Sequence, residues 1–192
     1  MLKYVLVSSA ILGIAVVIGF RGLMLGPGQW LVLDIVPCDN PELYWPVDIS
    51  RQKINRTHDS FTISMDFDNE LNFSYAGFVD AYQKLDGGFK FYQKIESDCT
   101  CTFLKKYAKE NMERFLANAH YDPPDCPLPA GPFRVTNFVM DYTELPKHGV
   151  YGTFLANAYL VYKEEKVGCV KIILNFDERT EDDDDDDDFD FF

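Results

Sequence analysis

The segment from Phe61 to Asp68 constrains this chain more than any other. Phe61, Ile63, Met65 and Phe67 alternate with Thr62, Ser64, Asp66 and Asp68. That period of two is a half-buried antiparallel strand with one apolar and one polar face, which must find a strand to pair with. The partners are present in the same code. Leu71, Phe73 and Tyr75 repeat the alternation. Gly87-Gly88 is a turn, beyond which Phe89 and Phe91 alternate with Lys90 and Tyr92. Trp30 to Val36 reads as a first strand, turned by Asp39-Asn40-Pro41. Thr153 to Tyr162, a charged turn at Lys163 to Lys166, and Val167 to Phe176 read as a hairpin. Thr102 to Ala117 behaves differently. It contains no Gly or Pro and lines up Leu104, Ala108, Met112 and Phe115, so the spacing predicts one amphipathic helix over 102–117, with Thr100 or Thr102 as its N-cap. With 47% apolar residues the chain has the material for a core. The expectation is a mainly β fold, a sandwich with one inserted helix.

The ends of the chain read differently from its body. Lys3 precedes an uncharged apolar run from Tyr4 to Phe20, closed by Arg21. This is the layout of a cleaved secretory signal peptide over about residues 1–22, leaving no membrane span in the mature chain. Asn55-Arg56-Thr57 and Asn72-Phe73-Ser74 match the N-glycosylation pattern, which has meaning in that pathway. The five cysteines, Cys38, Cys99, Cys101, Cys126 and Cys169, have no metal-ligand spacing. In an oxidising compartment they make two disulfides and leave one thiol, in any of 15 arrangements. At the other end, residues 177–192 hold eleven acids and one base, −10 of the chain's net −13. A run of seven aspartates is expected to stay a solvated, disordered acidic tail beyond a body spanning 23–176.

Charge and motif content exclude several functions. The chain has no basic block to neutralise phosphates, so nucleic acid is not an expected partner. The three histidines, His58, His120 and His148, sit in no HExxH pattern, and there is no Gly-x-Ser-x-Gly elbow or phosphate-cradling loop. Asp66 and Asp68 read as solvated strand surface. No catalytic constellation, metal site or cofactor is expected.

The C-terminal half carries a resemblance. Cys126-Pro127-Leu128-Pro129-Ala130-Gly131-Pro132-Phe133, then Glu144-Leu145-Pro146, Gly152-Thr153-Phe154 and Val167-Gly168-Cys169-Val170-Lys171-Ile172 follow one another. Over about 126–176 this order resembles the ganglioside-activator-like branch of the lipid-recognition (ML) superfamily, and within it the insect CheA-type chemosensory proteins. The resemblance implies a β-sandwich or β-cup with an apolar cavity. It also implies that Cys38 pairs with Cys169, and Cys126 with Cys99 or Cys101. The chain has fewer cysteines than the ganglioside activator, which sets it apart from glycolipid lifting and moves the match toward the insect branch.

A cavity between such sheets would be lined by Phe61, Ile63, Met65, Phe67, Phe73, Phe89, Phe91 and Phe133. Aromatic and methionine side chains adapt to variable hydrocarbon shapes, and each buried methylene of a ligand contributes about 0.8 kcal/mol. The function this implies is a secreted carrier or presenter of a lipid or other hydrophobic small molecule, in the chemosensory setting the resemblance suggests, with a receptor as a further partner. The alternatives are a glycolipid-presenting activator of a hydrolase and a secreted interaction module with a solid core.

Overall fold

The computed structural model describes residues 25–54 and 58–178. The expected signal peptide, the Asn55 motif and the acidic segment from Arg179 onward lie outside the described residues. The strands are β1 (Leu25–Pro27), β2 (Gln29–Pro37), β3 (Val47–Lys53), β4 (Asp59–Phe67), β5 (Ala76–Leu85), β6 (Gly88–Ser97), β7 (Gly131–Val139), β8 (His148–Val150), β9 (Gly152–Tyr162) and β10 (Glu165–Asp177). Two helices, α1 (Thr100–Tyr107) and α2 (Lys109–Asn118), lie between β6 and β7. The strands form three antiparallel sheets: β2-β10-β9-β5-β6, β3-β4-β7 and the short pair β1-β8. This is a β-sandwich with a small helical insertion. The last strand runs one residue further than expected, to Asp177.

The alternation in β4 does what it promised. Ile63 lies opposite Ile49 on β3 and Val135 on β7, while Met65 lies opposite Val47 and Phe133. Phe61, Ile63, Met65 and Phe67 therefore share a face with the apolar residues of both neighbours. The core gathers there. Phe67, Phe133, Val135 and Phe138 pack with Met112 and Leu116 of α2, Cys101 of α1, and Tyr75. Leu160 and Tyr162 at one end of β9 complete it from the five-stranded sheet.

The helical insertion departs from expectation in two ways. Its N-cap is Cys99, whose sulfur accepts from the Thr102 amide at 3.5 Å. And the helix is broken: Ala108 adopts φ −156°, ψ 55°, ending α1 and starting α2. The restart exposes new first-turn amides, and the Glu144 carboxylate receives those of Glu110 (2.6 Å) and Asn111 (2.7 Å). A carboxylate at a helix N-terminus satisfies both the hydrogen bonds and the dipole. No helical periodicity in 102–117 could announce a cap supplied from more than thirty residues downstream.

Two disulfides staple the fold. Cys38–Cys169 ties the end of β2 to β10, and Cys101–Cys126 ties α1 to the segment leading into β7. Cys99 is the unpaired thiol.

Candidate functional site

The residues expected to line a cavity separate into three groups. Phe61, Phe67 and Phe133 are buried, at 5%, 6% and 4% exposure. Ile63 and Met65 are half-buried on the same face. Phe73, Phe89 and Phe91 are exposed and belong to no inner face.

The exceptions have physical causes. Phe73 is not in a strand. Leu71 forms a single bridge to Leu128, and Asn72 then turns the chain, its Oδ1 accepting from the Ser74 amide (3.0 Å) and hydroxyl (2.6 Å). That Asx turn sends Phe73 into solvent. Phe89 and Phe91 are displaced by a bulge. Ala81 pairs with Gln93, but Tyr82 pairs with Phe91, leaving Tyr92 as the extra residue. One residue of slip moves every following side chain to the opposite face. Tyr92 packs its ring against Phe154, whereas Phe91 meets Tyr82 on the outer face.

Met65 and Phe133 lead to the site. They lie on the wall of a groove of about 1030 Å³, open to solvent, at the end of the three-stranded sheet. The opposite wall is the connection from β2 to β3, which contributes Pro41, Tyr44, Trp45 and Pro46. This connection is held by both sheets. The Trp45 amide donates to the Val167 carbonyl (2.7 Å), the Tyr44 ring lies 6.3 Å from that of Tyr159, and Lys171 binds Asp39 at 2.7 Å. Trp45 also sets its ring edge-on to Phe67 (5.9 Å) and tilted against Tyr75 (5.8 Å). The groove floor is thus continuous with the core, and its volume is of the size that takes a small molecule.

The rim is charged. Glu42, Asp48, Asp66 and Asp68 line the groove, against a single Arg134. Register explains part of this. Asp48 and Arg134 both oppose Ser64, from either side of β4, so they stand across the outer face of the sheet. Behind Trp45, Tyr75 is 1% exposed and its hydroxyl has no hydrogen-bond partner. Burial raises its pKa, with the charges of Tyr162 and Asp68 adding to the shift.

A second polar cluster lies at the other end of β4. Asp59 is fully buried, with Arg51 Nη2 at 2.9 Å and the Tyr142 hydroxyl donating to it at 3.3 Å. Arg51 also donates to the Leu33 carbonyl on β2. Burial and the Asp59 charge push the Tyr142 hydroxyl well above its ordinary pKa. The pair ties the two sheets together at that end.

Burial alone would raise the Cys99 thiol. Hydrogen bonds from Thr102 and Cys101, with Lys105 nearby, hold it below its ordinary value instead.

Trp45, Tyr44 and the acids at 42 and 48 were not singled out from the sequence. The available signal was Tyr44-Trp45-Pro46 directly after a turn, two large aromatics where no strand period could account for them. No family model matches the sequence, and no curated protein matches it.

Proposed function

We propose that this chain is a secreted carrier or presenter of a hydrophobic small molecule, held in the groove between the Tyr44–Trp45 connection and the end of the three-stranded sheet. The observation that carries this reading is the groove itself: about 1030 Å³, floored by Trp45, Met65 and Phe133, in a fold stapled by two disulfides. Disulfides of this kind persist in oxidising compartments, which supports secretion. The Asn72 motif supports it too, since it lies in a turn with Ser74 exposed, where a glycan would meet solvent. Among the described residues no helix is long and apolar enough to cross a membrane. The resemblance to the lipid-recognition superfamily points the same way. Within that reading, ligand chemistry is shape and apolar contact, with Met65 and the aromatic rings adapting to the chain they enclose.

The test is direct. Protein purified from a secreting host carries extractable lipid or hydrocarbon and binds an uncharged fluorescent hydrophobic probe, and Trp45→Ala weakens that binding at least about tenfold while Phe91→Ala does not. A dry protein that ignores the probe overturns the reading.

A further inference from the structure

The groove's rim carries a charge pattern that a plain hydrocarbon site does not need. Four carboxylates, Glu42, Asp48, Asp66 and Asp68, line it against one guanidinium, Arg134. None of the four forms an ion pair with a described residue. By contrast Asp39, on the same connection, is bound by Lys171 and needs no other cation. Arg134 offsets at most one charge, that of Asp48 across Ser64. An excess of negative charge therefore surrounds an aromatic floor in a concave place. A concave surface lined by one sign of charge focuses its field inward. Trp45, half-buried in the groove lining, adds an indole, the best aromatic partner for a cation.

We infer that the groove selects amphiphiles with a positively charged head group: an ammonium on an apolar body. The apolar part lies against Trp45, Met65 and Phe133, and the ammonium sits among the rim carboxylates. Fatty acids and other anionic lipids are disfavoured by the same field. So is the chain's own acidic C-terminal segment, which has the wrong sign to fill this groove. The inference rests on the reading of the groove as a ligand site and narrows its ligand class.

Three probes of one chain length separate the two claims. Decylamine, decanol and decanoate are equilibrated with the full-length secreted protein by dialysis at neutral pH, with quenching of tryptophan fluorescence in a Trp30→Phe background assigning binding to Trp45. Decylamine is expected to bind at least about tenfold more tightly than decanol, and decanoate most weakly. The amine's advantage shrinks as salt is raised, because screening acts on the charge and not on the chain. Replacing the exposed Glu42→Gln, Asp66→Asn and Asp68→Asn together brings the amine-to-alcohol ratio close to one. Equal binding of amine and alcohol, or preference for decanoate, overturns the cationic class while the hydrophobic site survives. Binding of none of the three removes both.

Discussion

Strands β4 and β6 begin from the same pattern and end in opposite environments. Each places large apolar residues at alternating positions. In β4, Phe61 and Phe67 are 5% and 6% exposed; in β6, Phe89 and Phe91 are 37% and 62% exposed. Strand β4 is the middle of its sheet, its apolar face closed over by α1, α2 and Tyr75. Strand β6 is an edge, and the bulge at Tyr92 turns its aromatic face outward. Alternation says which side chains share a face. It does not say whether anything covers that face, and one inserted residue reverses the answer. The half around β4 is packed over its middle strand, whereas the five-stranded half, with Phe154 and Phe176 buried on its inner face, leaves the outer face of its edge strand open.

The largest test of that contrast concerns the two bridges. Cys38–Cys169 closes 131 residues of separation and Cys101–Cys126 closes 25. In the chain-entropy model they stabilise by about 5 and about 3.5 kcal/mol. Replacing each pair by alanine and measuring denaturant midpoints should give the larger loss for Cys38 and Cys169. The reverse order would mean that the packing of Cys101, 1% exposed in the core, outweighs loop length, and the contrast would be between two kinds of packing instead.

Next in size is the pair of aromatic truncations. Phe133 contacts the rings of Phe67 (5.5 Å), Phe115 (5.6 Å) and Tyr121 (5.8 Å). Phe133→Ala should cost about 3–5 kcal/mol, the range for a buried phenylalanine. Phe91→Ala should stay within about 0.5 kcal/mol, as surface changes do. Equal costs in urea unfolding would show that the outer face of β6 is covered by something the isolated chain supplies.

These two strands also mark how far the sequence could be read. The mainly β class, the final hairpin and the β4 face were legible because they follow from local period. The Cys38–Cys169 bridge followed from the resemblance, not from the spacing. The groove was only half legible: Met65 came from strand alternation, and Phe133 from the resemblance. Trp45 was marked only by Tyr44-Trp45-Pro46 after a turn, because a loop has no period and its position is fixed by a hydrogen bond from its amide to Val167, far along the chain. The break at Ala108 was hidden for the same reason, its cap being Glu144. What is set by contacts distant in sequence leaves no local trace.

The smallest effect tests the packed half from within. Tyr75 is 1% exposed, stacked on Tyr162 with ring centroids 4.5 Å apart, and its hydroxyl finds no partner. An unsatisfied buried hydroxyl is a cost, about 1–3 kcal/mol before relaxation. Tyr75→Phe keeps the stack and removes the cost, so it should leave stability unchanged or raise it by up to about 1 kcal/mol in thermal or urea unfolding. It should also leave decanol binding alone, since Trp45 stands between this ring and the groove. A clear loss of stability would reveal a hydrogen bond made by that hydroxyl in solution, through an ordered water. In that case the core behind Trp45 is wet, and the packed half is less closed than its rings suggest.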